Sequence, residues 1–118
     1  MMEATIYHNP RCSKSRQALD ILTQKGASVT EVRYLDTPPT VEALDHICQA
    51  LSIEPQQLIR TKEALFKELG LSIDDLRTRE EWLKILHDHP RLIERPIVQI
   101  GDRMVIGRPP EQIETLFE

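Results

Sequence analysis

The chain has 118 residues, of which 40% are hydrophobic and 29% charged, and its formal net charge is −4. That describes one globular domain with a core rather than a disordered segment. The acidic balance argues against a general nucleic-acid binder, and no apolar run approaches the roughly 20 residues of a membrane span. The N-terminal MMEATIYHNP lacks the apolar stretch of a signal peptide, so a cytosolic protein is expected.

The first predicted element is a strand over ATIYH (4–8), favoured by Thr, Ile and Tyr and ended by Asn9-Pro10. SKSRQALDILTQKG (13–26) predicts a helix with Ala18, Ile21, Leu22 and Lys25 on one stripe, stopped by Gly26. SVTEVRYL (28–35) has strand character. A strand, a helix and a strand with short joints predict a right-handed βαβ unit with parallel strands. After the turn at 36–39 the pattern reads as helical from Val41 to about Pro90. Val41, Leu44, Ile47, Cys48 and Leu51 share a face, and KEALFKELG and TREEWLKILHDH follow as further amphipathic segments. PIVQI (96–100) and MVIG (104–107) predict a hairpin turning at Gly101-Asp102. PPEQIETLF (109–117) predicts a final helix opened by proline. The order is β-α-β, a helical insertion at about 40–90, then β-β-α. A βαβ and a ββα unit sharing one mixed four-stranded sheet form a thioredoxin-like α/β fold, here expected as a single domain over 1–118.

Sites in open α/β sheets lie beyond the C-terminal ends of parallel strands. Cys12 falls there, between the first strand and the first helix. A helix N-terminus favours anions, a thiolate included. Stability alone would place Asp or Glu in that first turn, yet the chain has Lys14 and Arg16 there, with Arg11 just before. An anionic occupant explains this choice: a thiolate at Cys12 with a lowered pKa, facing a site that receives an anionic ligand. His8, at the end of the strand, could favour the thiolate further. The bland alternative is a small buried cysteine beside solvated bases. For Cys48, mid-helix on the apolar stripe, core packing is the expectation. Ser15 occupies the position of a C-x-x-C partner, so any second thiol must come from another molecule.

Arg95 precedes Pro96 at a strand start, where a thioredoxin-like fold places a cis-proline facing the catalytic loop, which would aim Arg95 at Cys12. Arg108 lies between a strand end and a helix start, and Arg60 lies in the insertion. Each alone would be an ordinary surface charge. Converging near a thiolate, guanidinium forks would hold a tetrahedral oxyanion. No spacing of His with Cys suggests a metal site.

YHNPRCSKSR, RTKE, ERPIV and GRPPE, in that order along essentially the whole chain, resemble the glutaredoxin-dependent arsenate reductases of the ArsC family, and within it the YfgD-like branch. The resemblance implies a thioredoxin-like fold with a helical insertion. It implies a Cys12 thiolate that forms a covalent adduct with arsenate, glutathione as co-substrate, glutaredoxin as the partner that resolves the mixed disulfide, and no bound cofactor. It also implies oxyanion binding by Arg60, Arg95 and Arg108, with His8 and Ser15 aiding the sulfur. No apolar face beyond the core stripes is expected to stay exposed, which favours a monomer. Rival readings are an Spx-like regulator that binds RNA polymerase, a monothiol glutaredoxin-like protein, and an enzyme of this mechanism acting on another oxyanion. The absence of C-x-x-C and the three arginines weigh against the first, and the absence of a C-G-F-S loop against the second.

Overall fold

Alternation along the first strand sets the sheet. In the computed structural model, which describes residues 2–117, β1 (Glu3–Tyr7) turns Ala4 and Ile6 inward. The chain termini of the expected 1–118 domain, Met1 and Glu118, lie outside the described residues. Helix α1 (Ser13–Gln24) follows, then β2 (Ser28–Val32), and β1 pairs with β2 in parallel, Ile6 facing Glu31 across the ladder. β3 (Ile97–Ile100) runs antiparallel to β1, and β4 (Arg103–Ile106) antiparallel to β3. The sheet order is β2-β1-β3-β4. The hairpin turns at Gly101, whose φ of +61° suits a residue without Cβ. β2 is shorter than its strand-like sequence because the Arg33 carbonyl accepts from the amides of Asp36 and Thr37, closing a turn.

The chain divides into two compact units: residues up to Thr37 with those from Arg95 onward, and Pro38–Glu94. In the first, Ala4, Ile6 and Val98 of the sheet pack against Ala18 and Leu22 of α1 and Ile113 and Leu116 of the last helical segment. That segment, Pro110–Phe117, is a 3₁₀-helix rather than an α-helix. Ile113 and Leu116 are three residues apart, which at three residues per turn puts both on one face.

The second unit is less continuously helical than its sequence pattern. It holds α2 (Val41–Leu51), a 3₁₀ turn at Pro55–Leu58, the five-residue α3 (Ala64–Glu68), α4 (Arg79–Asp88) and a 3₁₀ turn at Pro90–Leu92. Leu44, Ile47, Cys48, Leu58, Trp82, Leu83, Leu86 and Leu92 are buried. Arg79 ties α4 to Asp45 of α2 at 2.7 Å and to Glu54 at 3.4 Å. Between Leu69 and Thr78 the chain leaves helical form, and Leu69, Ile73 and Leu76 are exposed there. None of the helices among the described residues is long and apolar enough to cross a membrane.

Candidate active site

Cys12 is the N-cap of α1, in extended backbone at φ −92° and ψ 123°. Its amide donates to the Asn9 carbonyl at 2.9 Å, and its carbonyl accepts from the Arg16 amide at 3.1 Å. Asn9 shapes the loop: its Oδ1 accepts from the Arg11 amide at 3.0 Å, an Asx turn, and its own amide donates to Ser15 Oγ at 3.4 Å. The loop after β1 is therefore fixed by local hydrogen bonds, and it presents the sulfur where the first helical N–H groups point.

Cys12 is buried, with 9% of the residue's surface exposed. Burial pushes its pKa up. The backbone N–H of Ser15, the charge of Arg95, the backbone N–H of Lys14 and the Ser15 hydroxyl together outweigh that, and the thiol lies below its ordinary range. The helix terminus thus acts through its amides. The side chains of Arg11, Lys14 and Arg16, which the sequence sets around the sulfur, are not among the groups that lower it. Ser15 is fully buried, close against the thiol.

Two of the three candidate arginines meet around the sulfur. Arg108 Nη2 stands 4.0 Å from Cys12 Sγ, and its Nε donates to the Arg95 carbonyl at 2.6 Å. Arg95 precedes a cis peptide to Pro96, and Arg108 one to Pro109. Gly107 lets these loops approach: its amide donates to the Pro96 carbonyl at 2.8 Å, and a Cβ there would stand 3.0 Å from Pro96 Cγ and 3.1 Å from Ile113 Cδ1. Arg60 belongs to the other unit. It sits outside any helix, two residues after the 3₁₀ turn; its Nη1 pairs with Glu63 at 3.2 Å and donates to the Arg91 carbonyl at 3.2 Å.

His8 is buried at 3% exposure. Its Nε2 lies 3.8 Å from Glu31 Oε1, and Nδ1 has no hydrogen-bond partner among the described residues. Burial lowers its pKa, Glu31 opposes this and Arg33 adds to it, so the ring is held below its ordinary value and neutral at pH 7. Asn9, expected only to end the first strand, also shapes the loop, and Gly107 is a second structural residue of the site. The Asn-Pro pair carried the signal for the first, as an Asx-turn former; nothing in one sequence marks the second. Cys48 is fully buried and pushed up to about 11 by burial, a core thiol.

The ArsC family model matches residues 7–116. The chain belongs to the ArsC family. It is 44% identical over 118 residues to a protein of Neisseria meningitidis serogroup A named arsenate reductase, with 99% of this chain and all of that one covered. It is 42% identical over 112 residues to the Escherichia coli K12 protein YfgD, covering 94% and 93% of the two chains. A solved structure described as arsenate reductase from Vibrio cholerae superposes with a TM-score of 0.91 at 42% identity, covering 97% of each chain. The thioredoxin-like ArsC fold is therefore that of this chain, with Cys12, Ser15, Arg95 and Arg108 assembled within one unit of it.

Proposed function

We propose that this ArsC protein reduces arsenate to arsenite with Cys12 as nucleophile. The observation behind this is a thiol held below its ordinary pKa at a helix N-terminus with a guanidinium 4.0 Å away. Arsenate is the substrate named for its relatives. The Cys12 thiolate attacks arsenic(V), a sulfur–arsenic bond forms and one oxygen departs as water. Arg95 and Arg108 balance the charge of the oxyanion, as preorganised donors in a partly dry site do most effectively. Arg60 is given the same duty on its motif alone. Glutathione then attacks the Cys12 sulfur. The sulfur–arsenic bond breaks with its electron pair on arsenic, which leaves as arsenite, and a Cys12–glutathione disulfide remains. A glutaredoxin thiolate attacks the glutathione sulfur and releases Cys12 as thiolate. The two electrons gained by arsenic come from the two sulfurs joined in the disulfide. Ser15 stabilises the thiolate as attacker and as leaving group. His8, neutral and turned to Glu31, supports the loop. Such a cycle needs a reducing compartment, the cytosol, and one chain supplies every protein group named except glutaredoxin, so a monomer suffices.

The test is reduction of arsenate by glutathione and glutaredoxin, run with Cys12→Ser and Cys48→Ser beside the parent protein. Cys12→Ser should abolish arsenite formation and Cys48→Ser should keep most of it. An active Cys12→Ser protein would sink the assignment.

A further inference from the structure

A cavity shares the catalytic loop without involving the arginine pair above. It measures about 390 Å³ and lies between the loop after β1 and the turn after β2, lined by His8, Asn9, Arg11, Arg33, Leu35 and Asp36 among others. That volume is within the range of small-ligand pockets, about 300–1,000 Å³. Its walls are held in place. The His8 amide donates to the Val32 carbonyl at 2.8 Å, the Arg33 carbonyl closes the 33–37 turn, and the Asn9 side chain fixes Arg11. The guanidinium groups of Arg11 and Arg33 make no ion pair among the described residues, and His8 Nδ1 is a buried polar atom without a partner. Buried polar atoms are seldom left so without a reason.

The charges on this wall are mixed. Arg11 and Arg33 are cationic and Asp36 anionic, while Glu31 is already turned to His8 Nε2. A plain oxyanion would meet repulsion from Asp36. An α-amino-acid head carries one carboxylate and one ammonium, which matches two guanidinium groups with a carboxylate beside them. The γ-glutamyl end of glutathione is such a head, on a flexible chain that leads to its thiol. Arg11 is the residue directly before Cys12.

We propose that the cavity between the 8–11 loop and the 33–36 turn seats the amino-acid head of the thiol co-substrate, its carboxylate on Arg11 and Arg33 and its ammonium at Asp36, so that the tripeptide's thiol is delivered to the Cys12 sulfur. The proposal rests on glutathione being the resolving thiol. It separates the two sides of the reaction: oxyanion on Arg95 and Arg108, reductant on Arg11 and Arg33.

The experiment omits arsenate. Cys12 is converted to its mixed disulfide with thiopyridine, and release of thiopyridone is followed with glutathione and with 2-mercaptoethanol, a thiol lacking the head. Each thiolate attacks the Cys12 sulfur and expels thiopyridone, so atoms and electrons balance without a further reagent. The quantity read is the ratio of the two second-order rate constants. Arg33→Ala should lower that ratio roughly tenfold, the scale of one lost charge-assisted hydrogen bond, and Asp36→Asn should lower it in the same direction. Arg33→Lys should restore part of it, and the 2-mercaptoethanol rate should hold in all three. A fall in the ratio of about threefold or more in Arg33→Ala supports the site; a smaller change, or an equal loss with both thiols, overturns it. Arg33 is exposed, so its replacement leaves the core untouched. Failure of arsenate reduction in the parent protein would be a separate result, since no arsenate enters this measurement.

Discussion

At the scale of single residues, the balance at Cys12 is between burial, which opposes the thiolate, and donors that favour it. Backbone amides of Ser15 and Lys14 cannot be removed by substitution, but the charge of Arg95 can. The alkylation rate of Cys12 with iodoacetamide, followed against pH, should inflect below the unperturbed value of about 8.5. In Arg95→Ala the inflection should move up. An inflection at or above the unperturbed value in the parent protein would contradict the lowered thiol. Arg108→Ala should cost turnover, roughly 10- to 1,000-fold, by analogy with loss of one oxyanion-stabilising donor. Arsenite formation against arsenate concentration measures it, and unchanged kinetics would make Arg108 an ordinary surface group. Cys12 itself was legible because its sulfur stands alone between a strand and a basic helix start. That a helix N-terminus and Arg95 would favour the thiolate was legible as well; that the amides of Ser15 and Lys14 are the ones that reach the sulfur was not, because a sequence does not show the direction of backbone N–H groups.

At the scale of elements, caps decide where helices begin. Thr78 Oγ1 accepts from the Glu81 amide at 3.2 Å, and Glu81 Oε1 accepts from the Thr78 amide at 3.0 Å, a reciprocal box at the start of α4. Thr78→Ala should lower stability by about 1 kcal/mol, read as an earlier urea midpoint with unchanged slope; an unmoved midpoint would mean that α4 is set by packing alone. The start of α4 could be read from T-x-x-E, and α2 from its stripe of Leu44, Ile47 and Cys48. The segment between them could not. KEALFKELG has helical spacing, yet α3 covers only Ala64–Glu68. So short a stretch gains little from propensity and depends on tertiary contacts, which composition does not encode. The C-terminal segment has the same lesson in another form, since spacing of three residues suits a 3₁₀ turn as well as one α-helical turn.

At the scale of the molecule, the two thiols respond to pH in opposite senses. Cys12 has a lowered pKa in the folded protein, so its contribution to stability is full above the unfolded value near 8.5 and is lost as pH falls through the folded one. Cys48 has a raised pKa of about 11, so its contribution is full below about 8.5 and is lost as pH rises toward 11. The stability difference between the parent protein and Cys48→Ala, from urea unfolding at several pH values, should therefore shrink across that alkaline window by an amount on the order of 3 kcal/mol at most. A difference that stays flat would show that Cys48 is not held neutral by its core. The order β-α-β, insertion, β-β-α was legible from periodicity and turns, and it placed Cys12 at the end of β1. The meeting of Arg95 and Arg108 through the Arg95 carbonyl was not, because residues thirteen apart are joined only once the hairpin has folded.

The backbone of Cys12 is pinned on both sides, by Asn9 ahead and Arg16 behind. Such a residue keeps one free torsion, about its Cα–Cβ bond. Its sulfur can then travel only on a small circle, with about three staggered stopping points. A group attached to the sulfur adds a second torsion, about Cβ–Sγ, so it can turn about a nearly fixed point while the loop stays as it is.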